Sequence, residues 1–94
     1  MTMSDLLTDE IRALPRSGKS MSNFDRAIDP GMEEDLRNGM AASYYGRNFC
    51  CDYVWLDGDQ FRAAVFVYGA LSSVESAPTL EELMTEVSER YGYE

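Results

Sequence analysis

Between Asn48 and Leu71, apolar residues occupy most positions of two β-rich runs, Asn48 to Leu56 and Phe61 to Leu71, on either side of Asp57-Gly58-Asp59-Gln60. Aromatic and β-branched residues about a glycine-bearing turn predict an antiparallel hairpin over about 48–57 and 61–71. A four-residue loop would pair Leu56 with Phe61, Trp55 with Arg62, Tyr53 with Ala64 and Cys51 with Phe66. Strict alternation then places Phe49, Cys51, Tyr53 and Trp55 on one face. Cys50, Val54 and Leu56 fall on the other, interrupted by Asp52. Both faces are apolar and two strands alone are marginal in water, so the hairpin needs cover on each side.

Helical spacing supplies that cover. Leu6, Leu7, Ile11 and Leu14 form a stripe in a helix over about 4–14, with Ser4 as cap and Pro15 as stop. A second helix, about 30–43, starts on Asp29 and Pro30 and carries Met32, Leu36 and Met40, with Asn38-Gly39 weakening its middle. The third, about 80–91, has a Thr79–Glu82 capping box, an apolar face of Leu80, Leu83, Met84, Val87 and Tyr91, and Gly92 placed for a left-handed stop. Phe24 to Ile28 reads as a short helical turn with Phe24 inward. Arg16 to Ser22 and Ser72 to Pro78 read as polar connectors. The expectation is a single α+β domain, residues 1–94, in which an antiparallel hairpin is covered by the C-terminal helix and the N-terminal helices.

Composition narrows the function. Eight Lys and Arg against seventeen Asp and Glu give a net charge of −9 and a pI near 4.3. Such a chain repels phosphate, so neither direct nucleic-acid binding nor an anionic membrane is expected, and basic partners are favoured. No apolar run reaches spanning length and no leader pattern is visible, which predicts a cytoplasmic protein. The two cysteines, Cys50 and Cys51, are adjacent and point apart in an extended strand, so they read as reduced thiols. With no histidine and no second cysteine pair, neither a metal site nor a cofactor is expected.

Catalytic readings fare poorly. Gly18-Lys19-Ser20 lacks the earlier glycine of a phosphate loop, since that position is Ala13. Asp57 and Asp59 lack the ligand series of a calcium loop and read as turn residues. Asp52, an acid in an apolar strand, reads as an edge-strand charge or an Arg partner, or else as a contact residue at a partner surface. None of these forms an acid/base pair, and the expected protein is not an enzyme.

What remains is charge on helices. Glu81, Glu82, Glu86 and Glu89, with Glu33, Glu34 and Asp35 as a second patch, can imitate a phosphate track and occupy the basic groove of a nucleic-acid-handling protein. The imitation is sparse, because four helical residues rise about 6 Å whereas duplex DNA presents a charge every ~1.7 Å. In size, charge and lack of catalytic groups the chain is similar to small acidic blockers: anti-CRISPR and anti-restriction proteins of phages, and immunity proteins of basic nucleases. The first reading is therefore a non-enzymatic inhibitor that docks on a basic protein or nucleoprotein complex. The second is a homodimeric assembly module that uses the hairpin residues Tyr53, Trp55, Phe66 and Tyr68 as its interface.

Overall fold

The computed structural model describes residues 6–92. Among these, β1 (Arg16–Ser22), β2 (Ala27–Ile28), β3 (Ala41–Tyr45), β4 (Cys50–Asp57), β5 (Gln60–Val67) and β6 (Ala70–Ala77) form one sheet in the order β2-β1-β3-β4-β5-β6. All neighbours are antiparallel except β1 and β3. The helices are α1 (Asp9–Arg12), α2 (Met32–Arg37) and α3 (Leu80–Tyr91). The α+β class, the antiparallel hairpin and the C-terminal helix stand as expected; the sheet is larger than expected and the first two helices are shorter.

The hairpin keeps its expected register at Leu56–Phe61, Trp55–Arg62 and Tyr53–Ala64. Its loop is tighter, with Asp57 opposite Gln60 and Gly58 at φ 64° taking the left-handed position of a two-residue turn. At the far end Cys50, not Cys51, lies opposite Phe66, because one extra residue bulges from β4 between Cys50 and Tyr53. The bulge reverses the alternation, so Cys51 joins Val54 on the helix-covered face rather than sharing a face with Tyr53 and Trp55. It also leaves Asp52 exposed on a central strand, which corrects the edge-strand reading.

One face of the sheet lies under α2 and α3. Met32 and Leu36 from α2, and Leu80, Leu83, Met84 and Val87 from α3, pack on Met21, Tyr44, Val54, Phe61, Ala63 and Val65. Tyr44 is fully buried, and its hydroxyl donates to Asn23 Oδ1 at 2.8 Å. Burial pushes that phenol far above its ordinary pKa, so it acts only as a neutral donor. Thr79 caps α3 as expected, accepting the Glu82 N–H at 3.1 Å. At the other end Tyr91 Oη lies 2.6 Å from Ser73 Oγ, which pins α3 to β6. Gly92 closes α3 at φ −90° and not in the left-handed region.

The opposite face is covered less completely. Leu7 packs on Trp55 and Ala64, flanked by Ile11, Leu14, Tyr53, Phe66, Leu71 and Val74. The expected helix over 4–14 is four residues long, capped by Thr8, while its predicted cap Ser4 lies outside the described residues.

Three segments differ from their sequence reading for identifiable reasons. Arg16–Ser22 and Ala70–Ala77 are strands whose side chains are too polar to announce them, and their ladders come from neighbours. The helix expected over 30–43 stops at Arg37, because Gly39 turns at φ 88° and Ala41–Tyr45 then extends as β3, buried on both faces over its first four residues. Its first residue is preceded by Gly31 and not by a side-chain cap; Asp29 instead accepts the Ser20 N–H at 2.9 Å. Phe24 is 62% exposed in the turn before β2, not inward.

Asp35 anchors α2 to β1. Lys19 Nζ lies 2.7 Å and Ser17 Oγ 2.8 Å from Asp35 Oδ2, and the lysine hydrogen bond chiefly holds this carboxyl below its ordinary value of 3.8. A depressed folded pKa means the stabilisation is present above the unfolded value and is lost as pH falls through the folded one. The wild-type advantage over Asp35→Asn in urea midpoint should therefore be full near neutrality and shrink below about pH 4. A constant gap down to about pH 2 would assign the effect to neutral hydrogen bonds instead.

Candidate functional site

Alpha-helical periodicity separates α3 cleanly into two faces. Leu80, Leu83, Met84 and Val87 point into the core, which leaves Glu81, Glu82, Glu86 and Glu89 exposed on the outside. Among the described residues no cation pairs with any of the four. Arg90, the one basic residue of this helix, turns to Glu75 of β6, with Arg90 Nε 3.3 Å from Glu75 Oε1. Glu82 and Glu86 stand one turn apart and line a concavity of about 340 Å³ together with Gln60, Ser76, Ala77, Pro78 and Thr85. Two carboxylates beside a recess of that size can receive a lysine or arginine side chain from another protein.

The second acidic patch is partly consumed within the chain. Asp35 is held by Lys19 and Ser17, and Glu33 accepts from Arg37 one turn on, with Arg37 Nη2 at 3.1 Å. Glu34 is exposed without such a partner among the described residues. Sequence spacing could place these acids on a helix, but Lys19 is sixteen residues from Asp35 and no local pattern links them.

The proposed hairpin interface is also divided. Trp55 is 2% exposed beneath Leu7 and is not on the surface, because the chain around α1 covers it. Tyr53 and Phe66 are half-buried, whereas Tyr68 is wholly exposed at the tip of the β5–β6 turn. These last three line one open cavity of about 500 Å³, together with Arg12, Arg47, Asn48, Phe49, Cys50, Asp52 and Gly69. The Arg12 and Arg16 guanidinium carbons sit 5.8 and 5.4 Å from the Tyr53 ring centroid, within cation–π range. Cys50 Sγ donates to Asp52 Oδ1 at 3.1 Å, and burial pushes the Cys50 thiol up to about 11, so it remains a protonated donor. Burial likewise raises Cys51.

Sequence reasoning missed this cavity because its walls come from α1, the β3–β4 loop, the β4 bulge and the β5–β6 turn. The available signal was Tyr68-Gly69 itself, a bulky residue preceding glycine near the end of a strand-forming run.

Among the described residues no group of three or more His, Cys, Asp or Glu side chains is placed to hold a metal ion, and no helix is long and apolar enough to cross a membrane. No known protein family, curated protein or solved structure matches the chain.

Proposed function

We propose that the chain is a non-enzymatic, acidic inhibitor that docks the outer face of α3 on a basic, nucleic-acid-binding surface of another protein. One observation carries this reading: four exposed carboxylates on a single well-anchored helix, none of them ion-paired with a cation among the described residues. A solvated helix face ordinarily mixes signs, and its salt bridges contribute little. Here Arg90 is drawn off to Glu75 of β6 and Arg26 donates to Ser88 near the C-terminal end of the helix, so the negative field is least offset at Glu81, Glu82 and Glu86. The concavity beside Glu82 and Glu86 adds a place for a cationic side chain to enter, which favours an arginine- or lysine-rich protein surface. In this reading Glu81 and Glu89 extend the field, Glu34 contributes at a distance, and Glu33 and Asp35 chiefly serve the fold.

Charge reversal tests it. A pull-down from host or target cells should capture a basic nuclease or nucleic-acid-handling complex with the wild-type chain, released as wash salt rises. Glu82→Lys with Glu86→Lys should lower association with that species by about tenfold or more at low salt and flatten the salt dependence. Equal capture by both chains at every salt concentration would remove α3 from the interface.

A further inference from the structure

The open cavity on the α1 side of the sheet has a chemistry different from the acidic helix. Its volume, about 500 Å³, lies in the range of small-ligand sites, and its lining combines aromatic rings with a few polar groups. Tyr53 and Phe66 provide half-buried ring surface. Arg12 contributes a guanidinium already held against the Tyr53 ring, and Asp52 contributes a carboxylate whose Oδ1 is fixed by the Cys50 thiol. Oδ2 of Asp52 makes no hydrogen bond among the described residues.

The rim carries a second, independent signal. Tyr68 has φ 53° and Gly69 φ 80°, so the β5–β6 connection is a two-residue turn of the kind that favours Asn-Gly. A tyrosine in the left-handed region is strained, and here its ring is fully exposed and makes no compensating packing. Strain retained without a structural return points to a use for the side chain.

We propose that this cavity binds a free guanine nucleotide, guanosine monophosphate. The base would stack on the Phe66 and Tyr68 rings, its N1–H and exocyclic amine would donate to Asp52, and the phosphate would meet Arg12 on the Tyr53 side of the cavity. A carboxylate matches the paired donors on guanine and meets an unprotonated nitrogen on adenine, so the site discriminates between the two bases. The chain's −9 charge does not prevent this, since at physiological ionic strength it is screened beyond about 8 Å and the local arginines govern. A polymer is another matter, because it would bring many phosphates against the same negative body. This site is separate from α3 and does not depend on the docking reading.

The test is titration calorimetry with amide chemical-shift mapping on the intact chain, using guanosine monophosphate, adenosine monophosphate and inorganic phosphate as probes. Guanosine monophosphate should bind saturably and shift residues 12, 52–53 and 66–69, with adenosine monophosphate at least about tenfold weaker and phosphate weaker still. Asp52→Asn should bring the two nucleotides to similar affinity. Arg12→Ala should weaken both by about tenfold. Tyr68→Asn should weaken both while raising the unfolding midpoint, which separates loss of the ring from loss of the fold. Glu82→Lys with Glu86→Lys should leave nucleotide binding unchanged. No saturable binding at millimolar concentration overturns the proposal, as does phosphate alone binding equally well. A dimer by sedimentation that dissociates in Tyr68→Asn also overturns it, because the cavity would then be occupied by a second copy.

Discussion

Replacing Gly46 by alanine should destabilise the fold by about 1–3 kcal/mol, and most of that loss should disappear when Phe49 is also alanine. A Cβ on Gly46 would collide with Cε1 and Cζ of the Phe49 ring. That ring is held on most sides: it is 5% exposed, meets Tyr44 edge-on at 5.1 Å between centroids and lies 6.2 Å from Tyr91, so moving it toward the cavity it borders would give up these contacts. The loop is closed over it by the Gly46 N–H, which donates to the Phe49 carbonyl at 3.2 Å. Phe49→Ala alone should cost about 3–5 kcal/mol, but it removes the atoms against which the added methyl group collides. Denaturant unfolding of the four-member cycle gives the coupling directly. If Gly46→Ala costs the same with and without the phenylalanine ring, steric conflict is not its origin and the close approach of the ring is not what keeps glycine there.

Leu83→Ala should cost about 2–5 kcal/mol, whereas Glu82→Ala, the adjacent residue, should change stability by no more than about 0.5 kcal/mol. Leu83 is fully buried near the middle of α3, packed with Leu80, Met84 and Val87 on β5 and β6, so shortening it leaves a void that neighbouring strands cannot fill. Glu82 contributes only its N–H to the Thr79 cap, and that bond survives truncation to alanine. For a chain of this length each kcal/mol moves the thermal midpoint by roughly 4–8 °C, so the two variants should separate clearly in calorimetry. A large loss in Glu82→Ala would show that the outer face of α3 is part of the fold, and charge reversal there could no longer be read as a binding experiment.

The hairpin and α3 were legible because each carries a dense apolar period with strong punctuation. Trp55, Tyr53 and Leu56 found their partners by counting outward from the loop, and Thr79 announced its helix. The bulge at Asp52 was not legible, since inserting one residue changes no local pattern yet moves Cys51 to the other face. β1 and β6 were hidden for a different reason: strand hydrogen bonds are made by backbone, and Ser- and Gly-rich runs take a place in a ladder when neighbours supply it. α2 was overextended because Met40 continues the spacing of Met32 and Leu36 across a glycine that reverses the chain. The acidic positions of α3 could be read from spacing. The neutralisation of Asp35 and the assembly of Arg12, Asp52 and Tyr68 around one cavity are long-range facts, carried by the fold and by no segment of it.

The parallel pairing of β1 with β3 sets an order on how the protein is made. During synthesis β1 and β2 leave the ribosome before the other described strands, yet together they form only a two-residue ladder, too little to persist in water. β3 is the strand that must hold them, and it emerges later with its own partner β4 still to come. The β4–β5–β6 meander, by contrast, pairs each strand with the next and can assemble as it appears. A nascent chain therefore carries an unpaired, serine-rich N-terminal strand until the sheet behind it exists, and the low hydrophobicity that hid β1 from sequence reading is what lets that strand wait without sticking to its neighbours.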